Sequence, residues 1–92
     1  MFLYSAWFRN AFADISEQDH EWVACFLVEA KSDKEASEWG NYLARKYSSS
    51  NYEEAFIKSD IEFLSNEEQI ILSDQLPIVK YGHEASDLEI GW

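Results

Sequence analysis

Two histidines, one cysteine and eighteen acidic residues are the side chains of this 92-residue chain that could do chemistry. Each histidine precedes a glutamate, in His20-Glu21 and in His83-Glu84. Histidine nitrogens and carboxylate oxygens both bind zinc, so the two pairs together could supply four ligands. Their spacing, however, follows neither the HExxH pattern of zinc enzymes nor the series of acids in an EF-hand loop. We therefore predict no metal site and no cofactor.

Catalysis also lacks its usual signals in this sequence. Cys25 lies within the apolar run Val-Ala-Cys-Phe-Leu-Val, which is typical of a small core residue, and no activating base stands beside it. Glu29 is the carboxylate nearest to an apolar setting, but it ends a strand-like segment where solvent or Lys31 can stabilise its charge. The three glycines form no phosphate-binding loop, nucleophile elbow or dinucleotide fingerprint. We therefore predict that the protein is not an enzyme.

A group of acidic residues in the second half of the chain is the remaining candidate for a functional surface. Residues 1–50 have eight acids and five bases, net −3, whereas residues 51–92 have ten acids and two bases, net −8. Strand-like alternation places Asp60 and Glu62 on one solvent face. The surface predicted to bind a partner comprises Glu53, Glu54, Asp60, Glu62, Glu67 and Glu68. The alternative is that these charges only protect an exposed strand edge from aggregation.

The net charge of −11 restricts the classes of partner. It repels nucleic-acid phosphates and anionic membranes, and it favours solubility and basic protein partners. No apolar run approaches the roughly 18 residues of a membrane-spanning helix, and a single cysteine allows no internal disulfide. We therefore expect a cytoplasmic protein that binds neither nucleic acid nor membrane.

Hydrophobic periodicity predicts four strands. Bulky apolar side chains alternate over residues 2–13, and an acidic loop follows at residues 14–19. Residues 21–30 are apolar on both faces, which is typical of a strand covered from two sides. Residues 54–64 alternate apolar and charged residues as a half-buried strand does, and a short strand follows Pro77. These segments are sufficient for one sheet.

Capping signals predict two helices between these strands. Ser32 and Glu35 form a capping box that begins the main helix. The apolar face of this helix comprises Ala36, Trp39, Gly40, Leu43 and Tyr47. A glycine on that face favours a close approach of the helix to the sheet. A second capping box, Ser65 with Glu68, begins a shorter helix.

These elements predict one α+β domain over residues 1–92, in the order β-β-α-β, short α, β. We expect a single antiparallel or mixed sheet of three or four strands with one main helix on one face, and a ferredoxin-like variant is one topology that fits. The first two strands are apolar on both faces, but one helix covers only one of them. Either residues 66–92 or a second copy of the chain must cover the other face, since a monomer rarely exposes so large an apolar patch.

The sequence thus predicts a small acidic interaction protein, without enzymatic activity, that binds a basic protein surface. Inhibitors, immunity-type proteins and nucleic-acid mimics belong to this class. The alternative is a small homodimeric protein that binds a ligand or a metal. A homodimer would form through the aromatic face of the sheet.

Overall fold

The structure is a computed structural model in which residues 1–10, 21–51 and 53–92 are described. Within these residues the strands are β1 (Phe2–Asn10), β2 (Glu21–Glu29), β3 (Glu54–Phe63) and β4 (Ile78–Lys80). The helices are α1 (Asp33–Ser50), α2 (Asn66–Ser73) and α3 (Asp87–Ile90). The predicted α+β fold, with one mixed sheet and one main helix, is confirmed. The predicted loop at residues 14–19 and the predicted end of the first strand lie outside the described residues.

The four strands are arranged in the order β3-β1-β2-β4. β1 pairs antiparallel with both β2 and β3, and β2 pairs parallel with β4. β2, β3 and β4 therefore run in one direction, and β1 runs in the opposite direction between β2 and β3. The segment β2–α1–β3 is a split βαβ unit of the kind that occurs in ferredoxin-like folds. β3 and β4 form the two edges of the sheet.

The main hydrophobic core lies between the sheet and α1. Alternate side chains of β1 point towards it, because successive residues of a strand face opposite sides. The buried members of this core are Phe2, Tyr4, Ala6, Phe8, Phe26, Val28, Ala36, Leu43, Ala44, Val79, Ala85 and Ile90. Trp39 and Tyr47 of α1 are partly buried against it. The predicted apolar face of the main helix is therefore confirmed.

Gly40 allows α1 to lie close to the sheet. It is buried, and a β-carbon at this position would overlap the ring of Tyr4 on β1. Tyr4 is itself fully buried, so its ring is enclosed by the core. The predicted close approach of helix and sheet is confirmed.

The helix α3 has no counterpart among the predicted elements. The Ser86 hydroxyl caps it by accepting a hydrogen bond from the backbone N–H of Glu89, with an N···O distance of 3.2 Å. Ile90 is buried in the main core, and the ring of Trp92 stacks on Tyr47 with centroids 5.1 Å apart. Ser86 and Glu89 repeat the Ser-x-x-Glu spacing of the two predicted capping boxes, which is the signal in the sequence that indicates this helix.

The second face of the sheet, which we call the open face, lies opposite α1 and is covered in part by the chain itself. Leu27 of β2 and Leu64 after β3 are both buried, yet neither belongs to the main core. Leu27 lies between Phe26 and Val28, which point towards α1, so its side chain points to the open face. The connection β3–α2–β4 crosses the sheet in the opposite direction to β2–α1–β3. Right-handed crossovers therefore place α2 on the open face.

The remainder of the open face is accessible to solvent. Trp7 and Cys25 are partly exposed there, and Val23 is 49% exposed. Cys25, which was predicted to be a core residue, is only half-buried, with its Sγ 3.3 Å from the Ser5 hydroxyl oxygen. Among the described residues, the open face is therefore covered around Leu27, whereas around Val23 it is about half-exposed.

Candidate protein-binding surface

The six predicted partner-binding residues lie at three places in the fold: the turn into β3 and its first residue, the second half of β3, and the first turn of α2. In that order they are Glu53 with Glu54, Asp60 with Glu62, and Glu67 with Glu68. Some of these carboxylates form hydrogen bonds within the fold, whereas others are exposed and can contact a partner.

Glu54 has a structural role at the beginning of β3. The indole N–H of Trp22 donates a hydrogen bond to Glu54 Oε2, with an N···O distance of 2.6 Å. The Ser48 hydroxyl of α1 donates to the backbone carbonyl of Glu54 at 2.7 Å and accepts from the backbone N–H of Phe56 at 3.3 Å. Glu54 thus connects β3 to β2 and to α1, whereas the neighbouring Glu53 is exposed.

Asp60 and Glu62 lie on the open face of β3, at an edge of the sheet. Both side chains are exposed. Lys58 shares this face, and its Nζ lies 5.2 Å from the centroid of the Trp7 ring, in a cation–π contact. Because β3 is an edge strand, a partner can reach the two carboxylates from the side as well as from above.

Glu67 and Glu68 lie in the first turn of α2. The Ser65 hydroxyl accepts from the backbone N–H of Glu68 at 3.2 Å, and the Glu68 carboxylate accepts from the backbone N–H of Ser65 at 3.3 Å. This is the predicted capping box, in which Glu68 stabilises the beginning of the helix. Glu67 is exposed and is free of that role.

Exposed apolar side chains lie in the same segment as these acids. Phe63, Ile70 and Ile71 are 71%, 68% and 60% exposed. The alternation in β3 places Phe63 on the α1 side of the sheet, as it does Ile61, and predicted that its side chain would be buried. That prediction is wrong because Phe63 ends an edge strand, where its ring meets Phe2 edge-on at 5.5 Å between centroids but is otherwise largely uncovered. Apolar anchors surrounded by polar groups are typical of protein interfaces.

The His–Glu pairs do not form a metal site among the described residues. Glu84 accepts hydrogen bonds from the Tyr42 hydroxyl and from Lys46, whose Nζ is 2.8 Å from Oε2. These two contacts lower the pKa of Glu84, Lys46 most strongly, and the same carboxylate raises the pKa of Tyr42. His20 lies outside the described residues. Within residues 1–10, 21–51 and 53–92, no three His, Cys, Asp or Glu side chains are placed to hold a metal ion.

A cleft of about 350 Å³ lies where β2 and β4 end and α1 begins. Its lining comprises Glu29, Ala30, Lys31, Glu35, Lys80, Tyr81 and His83. Small ligands often bind beyond the carboxyl ends of parallel strands, so this cleft is a candidate site for one. The sequence pattern missed it because its residues come from two distant stretches of the chain, 29–35 and 80–83.

Comparison of the chain with family models, curated proteins and solved structures gives no match. The fold and the surfaces described above are therefore the basis for a functional proposal. None of the helices in the described part of the chain has the length and apolar character that crossing a membrane requires.

Proposed function

We propose that this protein is a small acidic, non-enzymatic interaction protein that binds a basic protein surface. The observation that carries the proposal is the mixture of exposed acids and exposed large apolar side chains from the second half of β3 into α2. We call this the β3–α2 surface; it comprises Asp60 and Glu62 on the open face of β3, Phe63 on the α1 side of the same edge strand, and Glu67, Ile70 and Ile71 of α2. Its acids attract a basic partner, and its apolar side chains are removed from water on contact.

The charge of the whole chain supports a basic partner. The net charge is −11, and only two of the basic residues lie in residues 51–92, against ten acids. One of those two, Lys58, lies over the Trp7 ring. Attraction over such a surface accelerates association with a basic protein and weakens as salt screens it. A role as an inhibitor, immunity-type protein or nucleic-acid mimic, in the cytoplasm, is part of the same proposal.

Charge reversal on the β3–α2 surface tests the proposal. We expect the wild-type chain to capture a basic protein from cell lysate at low ionic strength and to release it as salt is raised. The triple variant Asp60→Lys, Glu62→Lys, Glu67→Lys should no longer capture it. Glu68 is left unchanged, because its capping box stabilises α2 and its loss would confuse binding with stability.

A matched control reverses three exposed acids elsewhere, in the variant Glu29→Lys, Glu38→Lys, Asp74→Lys. Both triple variants change the net charge by the same amount. We expect the control to keep the captured protein at low salt. Undiminished capture by the first variant, or equal loss in both, would exclude the β3–α2 surface as the binding site.

The second candidate function is ligand binding by a homodimer. It is supported by the cleft of about 350 Å³ and by the uncovered part of the open face around Trp7 and Val23. Only this candidate requires a dimer, so light scattering separates the two. A monomer in solution would exclude it.

A further inference from the structure

The outer edge of β3 has a regular stretch that is not closed by the rest of the described chain. At the beginning of the strand, Ser48 of α1 occupies the edge by bonding the backbone of Glu54 and Phe56. A β-bulge follows, since the register with β1 shifts there and leaves Ile57 without a counterpart. Beyond the bulge, residues 58–63 pair regularly with β1 on one side, and no strand of the described chain pairs with them on the other.

Hydrogen bonding on the inner side of β3 identifies the residues that face outwards. The backbone N–H of Leu64 donates to the carbonyl oxygen of Met1 at 3.2 Å, so Leu64 faces β1. Successive residues of a strand alternate in the direction of their N–H and C=O groups. Phe63, Ile61 and Ser59 therefore direct these groups to the outer edge. Such an edge is a template on which another strand can pair.

The side chains along this stretch are sorted by face. Asp60 and Glu62 are exposed on the open face, whereas Ile61 and Phe63 lie on the α1 side, and Phe63 is largely exposed. The side chains of an added strand lie beside these two rows, because neighbouring strands share the same pleat. Basic side chains would therefore lie beside the two acids, and apolar side chains beside Ile61 and Phe63.

We infer that the basic partner binds by adding a strand to the outer edge of β3, through an extended segment in which basic and apolar residues alternate. This inference rests on the proposed function and specifies how the partner is held. Main-chain hydrogen bonds provide affinity in this mode, and the alternating side chains provide specificity. A second copy of β3 is a poor occupant, because it would bring like charges beside Asp60 and Glu62.

Synthetic peptides test the inference with the full chain. The probe is a capped peptide in which lysine and valine alternate, and its control has the same composition with all lysines preceding all valines. We expect calorimetry to show binding of the alternating probe and at least about tenfold weaker binding of the control, which cannot align both rows. Equal affinity of the two peptides would overturn the inference.

N-methylated probes separate strand addition from simple charge attraction. An antiparallel added strand directs the N–H groups of its valines to β3, whereas a parallel one directs those of its lysines. One probe is methylated at every valine amide and another at every lysine amide. We expect one of the two to bind about tenfold more weakly or worse, because its backbone hydrogen bonds are lost, and the other to bind as before.

Equal binding of the methylated and unmethylated probes, or equal loss in both methylated probes, would exclude strand addition. In the first case binding would still depend on charge, so the proposed function would stand while this inference failed. The double variant Asp60→Lys, Glu62→Lys locates the site. This variant should no longer bind the lysine–valine probe and should instead bind a probe in which glutamate and valine alternate. The control double variant Glu38→Lys, Asp74→Lys should bind the lysine–valine probe as the wild type does.

Discussion

The contacts of Tyr4 show how single residues set the position of α1 on the sheet. The Tyr4 ring fills the space beside Gly40, and its hydroxyl donates to Asn41 Oδ1 at 2.8 Å. Ser59 of β3 donates to the same oxygen at 2.6 Å. One amide of α1 therefore joins β1 and β3. Burial raises the pKa of Tyr4, which keeps its hydroxyl protonated as a donor.

Gly40→Ala should lower the free energy of unfolding despite its better helix propensity. The added methyl group overlaps the enclosed Tyr4 ring, and overpacking of this kind costs about 1–3 kcal/mol. The gain in propensity, about 1 kcal/mol, only partly offsets it. Urea unfolding measures the difference, with Ser49→Ala at an exposed position of α1 as the control. Wild-type stability in Gly40→Ala would show that the helix can move away from the sheet.

The contact between Lys46 and Glu84 predicts a change in a measurable pKa. Lys46→Met keeps much of the side chain but removes the charge, so the pKa of Glu84 should rise towards its ordinary value. NMR titration of the Glu84 carboxyl measures it, with Lys34→Met as the control. An unchanged pKa in Lys46→Met would contradict the contact.

The contact between Lys46 and Glu84 also determines the direction in which stability changes with pH. The folded-state pKa of Glu84 is lowered, so its contribution is present above the unfolded-state pKa and is lost as the pH falls through the folded-state value. Both side chains are about half-exposed, so solvent screening keeps this contribution small.

At the scale of elements, three Ser-x-x-Glu segments begin the three helices, yet the helices differ in what they bury. α1 contributes much of the main core, and α2 leaves Ile70 and Ile71 exposed. α3 is only one turn long, but it brings Ile90 and Trp92 to the core. Trp92 contacts the rings of Phe8, Phe26 and Tyr47. The one-turn helix α3 and the residues after it therefore complete the main core next to these aromatic rings.

Trp92→Ala should destabilise the protein by about 2–4 kcal/mol, near the lower end of the range for large aromatic side chains, because the indole is only partly buried. Leu88→Ala in α3, the helix that precedes Trp92, is the matched control. Leu88 is 92% exposed, so its truncation should leave stability within about 0.5 kcal/mol of the wild type. Chemical unfolding of both variants measures the contrast. Equal stabilities would show that Trp92 contributes little to the core.

At the scale of the whole molecule, apolar burial and charge occupy different regions. The α1 side of the sheet is filled by α1, α3 and Trp92, whereas the open face is covered near Leu27 and exposed near Val23. The β3–α2 surface lies at one edge of this arrangement. The salt-dependent capture and the strand addition proposed above both depend on that location. A homodimer stays a prediction, and the uncovered part around Val23 is where it would form.

Local patterns in the sequence were enough to place β1, β2, α1 and the beginning of α2. Alternation and capping involve residues that are close in the chain, so they can be interpreted without knowing the neighbours. The exposure of Phe63 and the partial exposure of Cys25 could not be predicted in this way. Each depends on which elements lie beside the strand, and the alternation of residues within a strand does not specify them.

By itself the sequence determined the α+β class, the buried face of α1 and the acidic character of β3 and α2, because periodicity, capping and charge are local properties. Only the tertiary structure decided the strand order β3-β1-β2-β4. Strand pairing is a long-range choice among segments with similar apolar patterns, and β3 became an edge through that choice. As a result Asp60, Glu62 and the exposed Phe63 lie on an edge strand whose outer side pairs with no other strand of the described chain, and this is where the proposed basic partner would bind.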